Sequence, residues 1–132
     1  MISEKDLYES GKLHKALLIW SYLDKTGCPF KAVAYADLKL QLNDKHKCPL
    51  CSAYQNELDK NCNGCPLSPS GRFAECECLG QPYMEWEICS KQESTDIERR
   101  KYYATIIVKK IQRGIFLHYC NRILKEKQNG KI

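Results

Sequence analysis

The centre of the chain, residues 48–67, reads CPLCSAYQNELDKNCNGCPL and carries two pairs of cysteines. Cys48 and Cys51 form the first pair, Cys62 and Cys65 form the second, and ten residues separate the pairs. Two residues between thiols allow one tight turn to direct both sulfurs at the same ion, and two such knuckles complete a tetrahedral sulfur site. The spacing predicts one tightly bound zinc ion. An iron–sulfur cluster and buried reduced thiols are the alternatives.

Three further cysteines, Cys76, Cys78 and Cys89, continue the series. Ten residues lie between Cys65 and Cys76, and ten lie again between Cys78 and Cys89. These thiols are candidates either to replace a ligand of the first site or to build a second zinc site. A second site needs an eighth ligand, for which the candidates are Cys28, His46, His118 and Cys120. The competing interpretation is that the three are structural thiols beneath the metal-binding segment.

Composition indicates a soluble globular chain, because 43% of the 132 residues are hydrophobic and 28% are charged. No apolar run approaches the roughly 18 residues that span a bilayer. Residues 1–6 are mostly polar and lack the apolar core of a secretory signal, so we expect a cytoplasmic protein without membrane contact. In that reducing compartment, clustered thiols are more often metal ligands than disulfides.

The N-terminal part, residues 1–47, is predicted to be helical. Leu13, Leu17 and Trp20 recur at helical spacing from about Ser10 onward, and Gly27 is a natural stop. The other apolar residues expected to widen this face are Ala16, Leu18, Ile19 and Leu23. Residues 30–44 give a mixed signal that favours a short helix or irregular chain, with a turn at residues 43–44. Residues 48–89 are rich in proline and glycine, so we expect little regular structure there without a metal.

A long basic helix is predicted over residues 95–128. Thr95 and Glu98 have the spacing of a capping box, and Gly114 is expected to kink or divide the helix. The predicted fold is a mainly α single domain over residues 1–132. Its N-terminal and C-terminal helices pack together, with the irregular zinc-knuckle segment, residues 48–89, inserted between them. The residues expected at the interface between the helices are Leu13, Leu17, Trp20, Ile107, Ile111 and Ile115.

Charge is strongly segregated along the chain. Residues 1–98 hold 11 Lys and Arg against 15 Asp and Glu, whereas residues 99–132 hold 10 against the single Glu126. Such a basic segment indicates an acidic partner, or it covers the chain's own acidic part. The candidates for contact with nucleic-acid phosphates are Arg99, Arg100, Lys101, Lys109, Lys110 and Arg113, followed by Arg122, Lys125 and Lys127. Tyr83 and Trp86 either stack on nucleobases or, the favoured interpretation, pack the central segment against the helices.

The order of these motifs resembles that of small uncharacterised zinc-binding proteins of bacteriophages. The likeness rests on Ala16-Leu-Leu-Ile-Trp20, on Cys-Pro-Leu-Cys at 48–51, on Cys-x-x-Cys-Pro-Leu at 62–67, on the aromatic stretch at 82–86 and on a closing helix. The layout covers most of the chain. The resemblance implies a phage-encoded accessory protein in the host cytoplasm, and it brings no established activity with it. Cys78 and Cys89 depart from the simplest version of the layout.

Three functions compete on this sequence. The favoured one is a non-catalytic zinc-stabilised protein that acts by binding another protein, such as a host factor. The alternative is a nucleic-acid-binding module that uses the basic C-terminal helix. A metal-dependent nuclease is less favoured, because only His118 lies downstream of the first knuckle and because four cysteines close the coordination sphere of a zinc ion.

Overall fold

A computed structural model of the protein describes residues 4–40, 49–56, 58–91, 96–128 and 130, with the side chains of residues 4–7 and 52 excluded. Within these ranges the chain forms the helices α1 (Glu4–Thr26), α2 (Lys31–Asp37), α3 (Pro49–Tyr54), α4 (Pro82–Lys91) and α5 (Ile97–Gln128), and a 3-10 turn (Glu75–Glu77). The same ranges contain no β-strand, only isolated bridges that join Asn56 to Asn61 and Asn61 to Arg72. The mainly helical class is confirmed.

The two long helices, α1 and α5, pack against each other along most of their length. Near the start of α1, the Glu9 carboxylate lies 3.6 Å from Nε2 of His118. Near its end, the Thr105 hydroxyl hydrogen bonds to the Asp24 carboxylate. Residue numbers rise along α1 as they fall along α5, so the pair is antiparallel. The predicted packing of the N-terminal helix on the C-terminal helix is confirmed.

The core between α1 and α5 consists largely of the residues that helical spacing selected. Leu18 is an exception, because its side chain is 53% exposed and the prediction that it widens the apolar face was wrong. Successive helical side chains are turned by about 100°, so Leu18 lies on the side of α1 opposite the buried Ala16 and Trp20, which are two residues away. Of the six predicted interface residues, the fully buried ones are Leu13, Trp20, Ile107 and Ile111, and the partly buried ones are Leu17 and Ile115.

Gly27 ends α1, as predicted, and also packs the end of α1 against the start of α5. Its φ of +70° is a left-handed conformation that favours glycine, and a Cβ there would stand 2.4 Å from Cγ2 of Ile97. The Gly27 carbonyl accepts a 2.8 Å hydrogen bond from Nε of Arg100, which is buried. The glycine is therefore required by backbone geometry and by close packing at once.

The start of α5 is capped by Asp96. Its Oδ1 accepts the backbone N–H of Arg99 at 3.0 Å, which is the N-cap to N3 hydrogen bond of a helix start. Thr95, for which the sequence predicted the capping role, lies outside the described residues. The side chain that caps the helix is thus one residue later than expected.

Gly114 does not divide α5, which runs without interruption from Ile97 to Gln128. The prediction that it divides the helix was wrong. The reason for a glycine here is space, because a Cβ at this position would stand 2.6 Å from Cγ and 3.3 Å from Cβ of Pro66. Pro66 belongs to the Cys-Pro-Leu sequence that follows the second cysteine pair. Gly114 therefore allows the cysteine-rich segment to lie directly against α5.

The central segment is more regular than its proline and glycine content suggested. The expectation of little regular structure was wrong for α3 and for the ten-residue α4, which packs on α5 and buries Trp86. Trp20 of α1 makes edge-on ring contacts with Tyr83 and Trp86, with centroids 5.9 and 5.0 Å away. The packing role predicted for this aromatic pair is confirmed. Trp86 is 2% exposed, which excludes it as a stacking platform for nucleobases.

The segment after α1 contains the short helix that the sequence favoured. In α2, Ala34 and Tyr35 are buried. The Tyr22 hydroxyl of α1 donates a hydrogen bond to the Asp37 carboxylate at the end of α2. That hydrogen bond raises the pKa of Tyr22. The turn expected at residues 43–44 lies outside the described residues.

Candidate metal centre and adjoining cleft

The second cysteine pair lies on a tight turn. The Cys65 N–H donates to the Cys62 carbonyl at 3.1 Å, and Gly64 has φ +85°. A β-turn with positive φ at its third residue and not at its second is of type II, and glycine adopts that conformation without steric cost. The sequence Cys-Asn-Gly-Cys therefore folds into the expected turn for a local reason.

Two more turns follow directly and close a compact loop, residues 62–71. The Ser68 N–H donates to the Cys65 carbonyl at 3.0 Å, and the Gly71 N–H donates to the Ser68 carbonyl at 3.0 Å. Each of these turns has proline at its second position, where the fixed φ of proline is favourable. The Cys62 N–H then donates to the Gly71 carbonyl at 2.7 Å, which ties the end of the loop to its start.

Tyr54 places α3, which carries Cys51, against this loop. Its ring lies 3.5 Å from the position of a Cβ on Gly64. Burial, the Glu9 carboxylate and the Cys65 thiol all raise the pKa of Tyr54, so its phenol keeps its proton throughout the physiological range. Cys51 lies one helical turn before Tyr54. The described half of the first cysteine pair is thus carried by a helix that contacts the turn of the second pair.

Cys76 lies in the 3-10 turn, which Glu75 ties to the same loop. The Glu75 carboxylate is buried and accepts the Ser70 N–H at 2.7 Å, and Arg72 lies 3.5 Å from its other oxygen. The Ser70 hydrogen bond and the Arg72 charge lower the pKa of Glu75. Cys76 itself is partly buried and packs against the core.

The remaining cysteines have dissimilar environments. Cys78 is exposed, Cys89 is buried on α4, and Cys28 and Cys120 are partly buried on different parts of the molecule. Across the described residues, no group of three or more His, Cys, Asp or Glu side chains is arranged to hold a metal ion. Cys48 and His46, two of the predicted or candidate ligands, lie outside those residues.

A cleft of about 760 Å³ is lined by the 62–71 loop and by α5, which touch each other at Pro66 and Gly114. The loop provides one wall, and the helix provides the other through residues spaced at three and four along it. Glu9 and Tyr54 line the end of the cleft near α1. The residues that line the α5 wall are Lys110, Arg113, Gly114, Leu117, His118 and Asn121.

The basic residues predicted to contact phosphates do not form one surface. Arg100 is 6% exposed and donates to the Gly27 carbonyl, so its assignment as a phosphate contact was wrong. Burial of an arginine is tolerated here because the guanidinium has a hydrogen-bond acceptor. Lys110 and Arg113 line the cleft, whereas the exposed Lys109 does not. Arg99 and Lys101 lie at the opposite end of α5, near α4 and the end of α1.

The C-terminal half of α5 also carries a second apolar face, which the sequence analysis missed. We call Phe116, Tyr119, Cys120 and Ile123 the apolar stripe. Phe116 is 64% and Tyr119 is 52% exposed, and the other two are partly exposed. Their spacing of i, i+3, i+4 and i+7 is the signal that would have revealed it. The stripe is offset around the helix from the residues that pack on α1, and Arg122 lies over the Tyr119 ring at 5.3 Å.

No protein-family model, curated protein or solved structure matches this chain. The described part of the chain contains no helix with the length and apolarity needed to cross a membrane. The arrangement of the site residues therefore provides the basis for a functional assignment.

Proposed function

We propose that this is a non-catalytic, zinc-stabilised accessory protein that binds another protein through the apolar stripe of α5. The observation that carries the proposal is the exposure of Phe116 and Tyr119 side by side on a long, well-packed helix. Large aromatic side chains are normally buried, and contiguous exposed ones mark interaction surfaces. The resemblance to bacteriophage proteins directs the search for the partner to host proteins.

The apolar stripe has the residue spacing of helices that insert into a groove on a partner protein. Anchors at i, i+3, i+4 and i+7 are those with which an amphipathic helix fills a hydrophobic groove of a partner. Aromatic residues and arginine also dominate the binding energy of protein interfaces. Arg122, which lies over Tyr119, adds such a group at the edge of the stripe.

Charge narrows the class of partner. Between residues 109 and 128, six lysines and arginines accompany the stripe, and Glu126 is the single acid. A groove surrounded by aspartate and glutamate complements the positive charge around the stripe, and this attraction accelerates association. A partner with a basic surface would be repelled. The proposed occupant is therefore an acidic protein with an apolar groove.

Zinc has a structural role in this proposal, with Cys48, Cys51, Cys62 and Cys65 as ligands and Cys76 as the alternative. The contact of Tyr54 with the Gly64 turn supports it, because this contact holds α3, which carries Cys51, against the turn that carries Cys62 and Cys65. A site of four thiolates leaves no open position for substrate, so the ion would stabilise the segment that lies on α5.

Site-specific photo-crosslinking in host cells tests the proposed interface. A photo-reactive phenylalanine analogue at position 116 is expected to crosslink one acidic protein. The same analogue at position 18 is the matched control, because Leu18 is similarly exposed but lies on α1. The purified pair should then lose at least tenfold in affinity on Phe116→Ala, an anchor loss of about 1.4 kcal/mol or more. Identical crosslinks from both positions would refute the interface.

Binding of nucleic acid is the second candidate, and the cations Lys109, Lys110 and Arg113 on one helix support it. A footprint of six phosphates would lose affinity by about a thousandfold between about 50 and 200 mM salt. Filter binding of wild type and of a triple alanine variant at these positions measures the effect. Salt-sensitive micromolar binding that the variant loses would favour nucleic acid over protein.

A further inference from the structure

We propose that the cleft between the 62–71 loop and α5 binds a phosphate monoester, the terminal phosphate of a nucleotide or of a 5′-phosphorylated nucleic-acid end. This site is distinct from the apolar stripe, which lies on another side of α5, and the proposal does not depend on the protein partner. Lys110 and Arg113 would supply the positive charge, and Tyr54 would supply a neutral hydrogen-bond donor.

Lys110 and Arg113 give the α5 wall of the cleft two positive charges. Lys110 and Arg113 are the lysine and arginine that line it, and no described carboxylate forms an ion pair with either. Other cations are neutralised within the protein: Lys31 and Lys91 lie within 4 Å of the Glu87 carboxylate. Glu9 is the acid in the lining, and its carboxylate lies 3.6 Å from His118. The two α5 cations are therefore available to an anion from outside.

The spacing of the two cations suits a single phosphate group. Residues three apart on a helix have Cβ atoms about 5–6 Å apart, close enough for both side chains to reach one phosphate. Arginine offers a planar pair of N–H donors to two phosphate oxygens, and lysine adds a point charge. Two cations on one face of a cleft thus match the charge of a phosphate monoester better than that of a single carboxylate.

Neutral donors complete the cleft. Tyr54 lines the cleft, and its phenol is an O–H donor. Asn63 and Asn121 provide amides on opposite walls. Ser68 also lines the cleft, and its hydroxyl is buried with no hydrogen-bond partner among the described residues. A buried hydroxyl without a partner is costly, and a ligand that reaches it after a side-chain rotation would remove that cost.

The volume is sufficient for more than a bare ion. Clefts of about 300–1,000 Å³ hold small organic ligands, and 760 Å³ falls within that range. Leu117, Pro66 and Pro69 add apolar surface on which the organic part of the ligand would rest. These features favour a nucleotide over inorganic phosphate.

The experiment below also distinguishes phosphate binding from a second role for Lys110 and Arg113. Cys65 also lines the cleft, so Lys110 and Arg113 could instead offset the negative charge of zinc thiolates. In that case their removal would weaken zinc retention and would leave phosphate binding unaffected.

The test is calorimetric titration of the full-length, zinc-loaded chain with adenosine monophosphate and with adenosine. We expect the monophosphate to bind at least tenfold more tightly than adenosine. Lys110→Gln and Arg113→Gln should each weaken it by about tenfold or more, the loss typical of a hydrogen bond to a charged group. Lys25→Gln is the matched control, because it makes the same charge change at an exposed lysine in the last turn of α1, outside the cleft and outside the set of candidate phosphate contacts. That variant should stay within about twofold of wild type.

Zinc content and thermal unfolding of each variant are measured alongside. Equal binding of the monophosphate and adenosine, an equal loss in Lys25→Gln, or a loss that follows zinc content would each overturn the proposal. If the glutamine variants fail to fold, chemical-shift changes of the Asn63 and Asn121 amides in wild type provide the second measurement. No change in them at about 10 mM monophosphate, where millimolar binding saturates, would also overturn it. A hexanucleotide with a 5′-phosphate distinguishes the sources: tighter binding than the free nucleotide identifies a nucleic-acid end, and weaker binding identifies the nucleotide.

Discussion

Replacement of Gly114 by alanine tests the contact that holds the cysteine-rich loop against α5. The added Cβ would stand 2.6 Å from Cγ of Pro66, about 0.9 Å short of the separation of about 3.5 Å at which carbon atoms attract. Pro66 cannot easily retreat, because its turn is joined by hydrogen bonds to the turns on either side. Overpacking of this kind costs about 1–3 kcal/mol.

The helix itself opposes that cost. Alanine is about 1 kcal/mol more favourable than glycine in a helix interior, so Gly114→Ala is expected to destabilise the protein by about 0–2 kcal/mol net. Gly11→Ala is the matched control, because Gly11 also lies in a long helix and a Cβ there meets nothing within 4 Å. That substitution should stabilise the protein by up to about 1 kcal/mol.

The quantity to measure is the difference between the two variants in urea unfolding followed by circular dichroism, at equal zinc content. We expect Gly114→Ala to be less stable than Gly11→Ala by about 1–3 kcal/mol. A chain of this length should show that as roughly 3–5 °C of melting temperature per kcal/mol. In a Pro66→Ala background, the clashing Cγ is absent and most of the difference should disappear. Equal stabilisation by both alanines would refute the close contact between the loop and α5.

Three further predictions concern the metal, the core and the buried arginine. Cys51→Ser should lose about one zinc per chain in elemental analysis because structural zinc binding is coupled to folding; the exposed Cys78→Ser should retain it, and a fully folded metal-free protein after strong chelation would contradict the assignment. Trp20→Ala should cost about 3–5 kcal/mol of unfolding free energy because the side chain is fully buried; the exposed Leu18→Ala should be close to neutral, and similar values for the two would show that the buried face of α1 is wrong. Arg100→Leu should cost about 1–3 kcal/mol because it leaves the Gly27 carbonyl without its donor; a stability equal to wild type, together with weaker binding to DNA, would return Arg100 to the phosphate-contacting set.

Sequence periodicity predicted the α1–α5 interface because both helices are long. Over 23 and 32 residues, the apolar positions repeat often enough to identify the buried face, and Leu13, Trp20, Ile107 and Ile111 are all in it. The prediction was wrong at Leu18, because it was assigned to the buried face for being apolar and not for its position around the helix. The apolar stripe was not predicted, because α5 has a second apolar face besides the one that packs on α1.

The candidate site was predictable only where it depends on local chemistry. Cys62-Asn-Gly-Cys65 specifies a tight turn by itself, because glycine tolerates the positive φ that the turn requires. The cleft could not be predicted from local sequence. Its walls come from Glu9, Tyr54, the 62–71 loop and α5, which are distant in the chain and meet only in the folded protein.

The sequence alone therefore determined the helical class, the two long helices, the residues at their interface and the turn of the second cysteine pair. These features depend on neighbouring residues or on a repeat of 3.6 residues. Tertiary structure alone decided that Gly114 contacts Pro66 and that the buried Arg100 hydrogen bonds to Gly27. It also decided that Lys110 lines a cleft while Lys109 does not. Each of these outcomes depends on which surface of one element meets another, and neither propensity nor spacing within a single segment contains that information.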